Sequence, residues 1–502
     1  MLSYKYDITE IPRGKAFFLR SLIMSARFAK ITLFALAALL VIPAAVNAQN
    51  ANNGGNNGNN GNNGNNGNNG FNNGTFFGGV VGGIKIDTRG VFTGEKAKLD
   101  RTALARIEEG LKATDSKIAE ATPLRMVSLR GLENAITQAK DEGKPLSSEI
   151  KYMAGLQRVE YVIALEDKSD IIIAGPGEGI RLNEDGVVVG EKSGNPVIHL
   201  EDFLVAMRSV ENARTGQGVS VSIDPTEGGI QQLQKFYGQL KQSNTPFRPE
   251  MQPLVEKAMG DQMIRLTGVP ADSRFSQVLV AADYKMKRLG MGLEAAPISN
   301  FPSFMEMAQK AKVRNMTAAP RFWMECNYEP IAKNADGSIW QIRGKGVRTL
   351  TEDSKFDSQG KRNGASKPNR FAVKWAEMMT ERFDELSSAE PVFRELRNVM
   401  DLSVVAAIIS REQLNQKVGL KTPAILGLTN AAVVPSYTIP KVVPAQCSFV
   451  RIAQSWLVSA SGGIQLDSWG IASNTEVLPN MDGIEAATAT QSGSWWWNAA
   501  SN

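Results

Sequence analysis

The sequence predicts an α+β fold: short antiparallel hairpins and small sheets covered by helices, in two subdomains, behind an N-terminal region that is not part of the fold. Three observations lead there. From residue 84 onward, turn dipeptides such as Asp185-Gly186 separate short β-branched runs. Longer stretches between them carry helical spacing, as in Leu104, Ile107 and Leu111. Hydrophobic content of 42% and charged content of 21% are those of an ordinary globular chain. The alternative is an α/β fold with a mostly parallel sheet, and the share of parallel strand pairs separates the two.

Met24–Ala48 has the plan of a signal peptide. Arg27 and Lys30 supply a positive start, Ile31–Ile42 an apolar run of signal length, and Val46-Asn47-Ala48 a small-residue cleavage pattern. Residues 1–23 fit that plan badly, so 1–48 reads as the signal region with its true start at Met24. Asn52–Gly74 holds seven Asn-Asn-Gly units, five of them consecutive at 56–70. Such a run has no apolar area to bury against the entropy of ordering, so 49–83 reads as a disordered Asn/Gly-rich tether. The expected location is the periplasm, the cell envelope or the outside. No transmembrane segment is expected once the signal is removed.

Charge excludes one class of partner. The chain has 56 Lys+Arg and 51 Asp+Glu, but residues 1–48 hold six of the basic and two of the acidic groups, leaving 50 against 49. A near-neutral mature chain gives no electrostatic case for nucleic acid. Two cysteines, Cys326 and Cys447, and one histidine, His199, cannot build a four-cysteine zinc site or a His-rich centre, so no metal and no cofactor is expected.

Within the fold, residues 84–245 form the expected first subdomain and 250–473 the second, divided at the proline-rich stretch Gln242–Pro253. The first contains a hairpin at Ile84–Phe92 and a helix over 101–140. Strands follow at Val159–Leu165 and Asp170–Ala174, then a hairpin at Gly179–Gly190. Val219–Ile223 is a strand, and Asp224, Pro225 and Glu227 open the next helix as N-cap, N1 and N3. The second subdomain contains a strand at Met263–Leu266 and a helix at Phe275–Leu289. Its small sheet is Arg321–Tyr328, Ile339–Arg343 and Val347–Leu350, followed by an exposed loop at Ser354–Arg370. A helix from Pro391 becomes apolar all round at Val404–Ile409. A last hairpin joins Phe449–Val458 to Ile464–Leu466 through Ser461-Gly462-Gly463. Residues 474–502 read as a flexible tail.

Several of these segments, among them EYVIALEDKSDIIIAGPGEG (160–179), SVSIDPTEGG (220–229), AADYKMKRLGMGLE (281–294), PRFWMECNYEP (320–330) and ASGGIQLDSW (460–469), resemble a family of secreted proteins of planctomycete bacteria, catalogued as domain of unknown function fifteen ninety-eight. The resemblance covers most of 84–475. It implies an envelope or secreted location and assigns no activity and no catalytic residue.

Candidate chemistry is sparse. His199 is the sole possible base of a Ser-His-Asp set, yet no G-x-S-x-G elbow is present, so it reads as structural. Gly175-Pro176-Gly177-Glu178-Gly179 lacks dinucleotide spacing and reads as a turn. Lys285, Lys287 and Arg288 read as a solvated helix face. The most informative stretch is Arg321–Tyr328. On a strand, Phe322, Met324 and Cys326 share the core side, while Arg321, Trp323 and Glu325 share the other, with Tyr328 and Glu329 just beyond. An aromatic flanked by a cation and a carboxylate suits a polar ligand such as a sugar or peptide; a packed layer with an Arg–Glu pair is the other reading. Cys326 and Cys447 either bridge, in an exported chain, or stay as buried thiols. The function expected is a non-catalytic envelope binding or interaction domain, its partner an unknown envelope protein or polymer. The alternative is an envelope hydrolase using paired carboxylates such as Glu325 and Glu329.

Overall fold

The structure is a computed structural model. It describes residues 80–81, 84–85, 101–112, 114–216, 218–311, 319–356, 359, 361–366, 368–437, 439–452, 455–458, 461–478, 481–489 and 494–499. The expected signal region and the Asn/Gly run lie outside the described residues, as does most of the hairpin expected at Ile84–Phe92. Ile84 pairs instead with Val81.

In chain order the elements are β1 (Thr122–Ser128), α1 (Leu129–Asp141), β2 (Tyr161–Leu165), β3 (Asp170–Gly177), α2 (Leu200–Thr215), β4 (Val219–Pro225), α3 (Glu227–Gln242), α4 (Gln252–Met259) and β5 (Gln262–Thr267). There follow α5 (Arg274–Gly290), β6 (Ala319–Asn327), β7 (Ile331–Lys333), β8 (Ile339–Gln341), β9 (Gly346–Phe356) and β10 (Arg362–Ser366). The chain continues with α6 (Arg370–Glu381), α7 (Pro391–Arg411), β11 (Val442–Val443), β12 (Ser461–Leu466), β13 (Thr475–Val477), α8 (Asp482–Ala489) and β14 (Trp496–Asn498).

Two seven-stranded sheets organise the fold. The first runs β13-β7-β8-β2-β3-β1-β14 and the second β10-β9-β6-β12-β4-β5-β11. Within them only β6 with β12 and β7 with β13 run parallel among the described pairs; all the others are antiparallel. The fold is α+β.

The inner faces of both sheets and helices α1, α2, α5, α6 and α7 share one apolar cluster, which draws on residues from Ile118 to Trp496. It crosses the proline-rich stretch near 250, and Gly70–Asn502 is one compact unit. α7 is the centre of it, with Val404, Val405, Ala406 and Ala407 all fully buried. Each such aliphatic side chain contributes roughly 1.5–3 kcal/mol. The first sheet is also covered outside: Met126, Ile163, Ile172, Ala332 and Trp497 pack beneath Met481 and α8. No helix among the described residues is long and apolar enough to cross a membrane.

Five sequence expectations are corrected. The single helix over 101–140 is two helices, Arg101–Lys112 and α1, with β1 between them. Pro123 breaks the pattern, and Ser128 caps α1 by accepting from the Gly131 N–H. Asp224 and Pro225 end β4, and Thr226 is the N-cap of α3, since a residue before proline favours the extended region. The loop expected at Ser354–Arg370 contains the β9–β10 pairing. Ser461-Gly462-Gly463 is no turn: Phe449–Ile452 pairs with Ser455–Val458, and β12 inserts between β6 and β4. The segment expected as a tail from Asn474 supplies β13, α8 and β14, with Trp496 and Trp497 buried.

Candidate functional site

β6 divides its side chains as its alternation requires. Phe322, Met324 and Cys326 are buried on the inner face, and Arg321, Trp323 and Glu325 stand half-buried on the outer one. Inside, the Phe322 ring packs 4.6 Å from Trp375 of α6. The helices that touch the middle of this sheet, α5, α6 and α7, lie on that inner side. At the end of the sheet where β4 leads into α3, Gln231 of α3 donates to Gln359 O at 2.5 Å, in the turn between β9 and β10.

Register extends the outer face across five strands. Arg321, Trp323 and Glu325 stand opposite Glu352, Leu350 and Arg348 of β9. On the other flank, Trp323 and Glu325 stand opposite Gly463 and Gln465 of β12. These in turn face Ser222 and Ser220 of β4, which face Arg265 and Thr267 of β5. Among the described residues, the three arginines of this face, Arg321, Arg348 and Arg265, each have a carboxylate. Arg321 lies 3.7 Å from Glu352 and Arg265 3.9 Å from Asp224, and the Arg348 Nε donates to Glu325 Oε1 at 2.7 Å. Arg321 also sits 5.9 Å from the Trp323 ring centroid. Gly463 beside the indole has no side chain, and a Cβ there would meet Val221 O at 2.8 Å and Arg321 Nη2 at 3.4 Å.

The candidate residues are therefore brought together in part. Arg321, Trp323 and Glu325 share a surface, but the cation that holds Glu325 is Arg348. Tyr328 leaves them: beyond the end of β6 it turns into the core, where its hydroxyl donates to Asp401 Oδ1 at 2.6 Å and burial holds its proton on. Asp401 in turn accepts from Arg158 Nε at 3.0 Å. Glu329 lies 3.8 Å from Arg343 and forms no pair with Glu325. Cys326 and Cys447 are free, buried thiols in separate apolar clusters, Cys447 beside Val255 and Met259. Burial raises both thiols, Cys447 to about 12.

Beneath the sheet, α5 is a charged helix buried all round. Arg274 binds Asp202 of α2 and, at 2.6 Å, Glu395 of α7. The Lys287 Nζ lies 3.1 Å from Asp283 Oδ2 and donates to Ile223 O at 2.6 Å. Burial pushes Asp283 up and Lys287 down, while each charge opposes the shift of the other. Gly462 makes room for this pair: a Cβ there would stand 2.7 Å from Lys287 Cε and 2.8 Å from Asp283 Oδ1. Lys285 is ion-paired with Glu294 at 2.5 Å and Glu390 at 3.0 Å. The solvated face expected at 285–288 is thus largely buried and neutralised.

The cations of these pairs, Arg274, Lys285 and Lys287, lie in the segment that similarity marks. Residues 221–304 match the model of a protein family of unknown function, DUF1598. No curated protein and no solved structure matches the chain. The DUF1598 segment runs from β4 through α5 to the start of the following helix, Phe304–Lys310. It supplies Ser222, Asp224 and Arg265 to the outer face, and Arg274, Asp283 and Lys287 to the buried pairs. Arg321 and Trp323 come from outside it.

His199 precedes α2 and packs edge-on to Tyr152 at 5.2 Å. Burial and the nearby Arg274 charge hold it neutral, its pKa down to about 3. That environment suits a structural imidazole. A cavity of about 520 Å³ lies along Glu294, Asn300, Phe301 and Glu306. Both of its carboxylates are engaged: Glu306 accepts from the Ser303 N–H at 3.0 Å, and Glu294 is held by Lys285 and Arg288. Among the described residues, no group of three His, Cys, Asp or Glu is placed to hold a metal ion.

Alternation in Arg348-Thr349-Leu350-Thr351-Glu352 and Val219-Ser220-Val221-Ser222 is the sequence signal that marks the other outer-face residues. Which strands lie side by side was the missing information.

Proposed function

We propose that the protein is an exported binding protein without chemistry of its own, which presents the outer face of the second sheet to an envelope protein or polymer. The observation that carries the reading is the half-buried Trp323 in the middle of a largely polar sheet face, turned away from the core that Phe322 and Met324 enter. An indole that served packing alone would sit among the inner residues, as Trp375 does. Aromatic side chains of this kind anchor interfaces because they bring large contact area with little entropy to lose. The export half rests on the Met24–Ala48 pattern and on the resemblance to planctomycete secreted proteins. The Asn/Gly run at 52–74 gives such a domain reach from its point of attachment.

A hydrolase reading needs two carboxylates free to trade protons across a bound substrate. Glu325, Glu329, Glu294 and Glu306 are each held by a cation or a backbone donor, which favours binding over hydrolysis.

The test is capture from envelope extract by the full chain and by Trp323→Ala. Material held by the wild type and released by the variant, with an unchanged melting curve, supports the reading. Equal capture by both removes this face as the binding surface. A large drop in melting temperature assigns Trp323 to packing.

A further inference from the structure

We propose that the outer face of the second sheet binds neutral polysaccharide, laid flat over β6, β12 and β4 with a sugar ring stacked on Trp323. This rests on the binding reading above and names its ligand class.

Charge decides against ionic polymers. The face carries Arg321, Arg348 and Arg265, and each has its own carboxylate in Glu352, Glu325 and Asp224. A polyanion draws its affinity from cations that exchange counterions for phosphate or carboxylate. Three compensated arginines offer nothing to exchange. The same pairing occupies Glu352, Glu325 and Asp224, the carboxylates described on these five strands, against a polycation.

Geometry decides against an extended peptide. Peptides that add to sheets do so at an edge, through unpaired main-chain groups. β6, β12 and β4 are interior strands, bonded on both sides. Their outer surface offers side chains only.

What remains fits a carbohydrate. The face measures roughly 13 Å along the strands from Arg321 to Glu325 and roughly 19 Å across from β9 to β5. That is room for several sugar rings. Hydroxyls and an amide line its middle: Ser220, Ser222 and Gln465, with Ser220 already bonded to Thr267 at 2.9 Å. A sugar hydroxyl both donates and accepts, and an Arg–carboxylate pair meets both needs at one place. The apolar face of the ring needs an aromatic plate, which Trp323 provides. Arg321 lies on the Gly463 side of that plate, its Nη2 3.4 Å from where a Cβ of Gly463 would stand, so the sugar ring takes the other face of the indole.

The test is native electrophoresis of the full chain through gels containing neutral mannan, neutral β-glucan or anionic polygalacturonate. At least one neutral polymer should retard the wild type, and added salt should leave the retardation intact. Trp323→Ala should weaken it about tenfold or more, and Trp323→Phe should keep part of it. Ser222→Arg, on the same face and away from the core, should also weaken it. Glu325→Gln with Glu352→Gln frees two arginines and should create retardation by polygalacturonate. Failure of every neutral polymer to retard the wild type overturns the inference and leaves the binding face to the capture experiment. Wild-type retardation by polygalacturonate that salt abolishes and Trp323→Ala lacks overturns the neutral class but keeps the face. Retardation by a neutral polymer that is unchanged in a folded Trp323→Ala overturns both.

Discussion

Replacing Arg274 by Met should be among the most damaging single changes in the chain. Arg274 is 7% exposed and joins α5 to α2 through Asp202 and to α7 through Glu395. Removing one partner of a buried ion pair costs about 3–5 kcal/mol, because a charge is left unpaired in low dielectric. Here one cation serves two carboxylates, so the loss belongs at the upper end, about 5 kcal/mol. Asp202 already has a raised pKa from burial, and the Arg274 charge opposes that rise. Without Arg274 the rise grows. A group raised in the fold contributes its stability in full below its unfolded pKa near 4 and loses it as pH climbs through the folded value. Arg274→Met should therefore recover stability between pH 7 and pH 5, by up to about 1.4 kcal/mol per unit for each carboxyl that takes a proton. Adding Asp202→Asn and Glu395→Gln should restore much of the loss at pH 7. Urea unfolding followed by circular dichroism at both pH values measures all of this. A loss below about 1 kcal/mol, or a variant that acid weakens more than the wild type, would refute the reasoning.

His199 works with the opposite sign. Its folded pKa of about 3 lies below the unfolded 6.5, so its contribution is present above pH 6.5 and drains away as pH falls toward 3, at about 1.4 kcal/mol per unit. His199→Phe should flatten the acid side of the stability curve in urea melts at pH 7, 6 and 5, and equal slopes would clear His199 of that role. Trp497→Ala should cost about 3–5 kcal/mol in calorimetry, since the indole is 5% exposed within the outer cluster of the first sheet. A negligible change there would mean that β14 is dispensable. A thiol count on denatured, unreduced protein should give two free groups, and on native protein none that react quickly, since both thiols are buried and raised.

What the sequence made legible was local. The Arg321–Cys326 alternation, the Gly186 turn, Pro391 at the start of α7 and the apolar run Val404–Ile409 all stand as periodicity and turn chemistry require. These are effects of residues a few positions apart. The errors came where distant chain decided the outcome. Ser461-Gly462-Gly463 has the composition of a turn, but Asp283 and Lys287 approach so closely that only glycine fits a strand there. Lys285 and Lys287 read as solvated because the burial of α5 is tertiary: Glu390, a partner of Lys285, becomes visible only once helices are packed, whereas Asp283 stands one turn from Lys287 on the same helix. Tyr328 read as part of the outer face through its nearness in sequence, although strand parity places it with Phe322, Met324 and Cys326 on the core side, where its hydroxyl meets Asp401. Half of the candidate face was legible, because β6 supplies Arg321, Trp323 and Glu325 within five residues. The other half comes from β4, β5, β9 and β12, and their adjacency is tertiary information.

The placement of β14 bears on the order of assembly. Its Asn498 accepts from the Arg125 Nε across 373 residues of chain, and the same arginine crosslinks Ala154, Glu178, Ile118 and Glu120 through their carbonyls. A sheet whose last strand arrives so late is expensive in loop closure and slow to complete. Until Trp496 and Trp497 emerge from the ribosome, the β1 side of the first sheet stays an open edge with its tryptophan contacts unmade. A chain cut a few residues short of Trp496 lacks the strand that pairs with Arg125–Val127 and should be an aggregation-prone product.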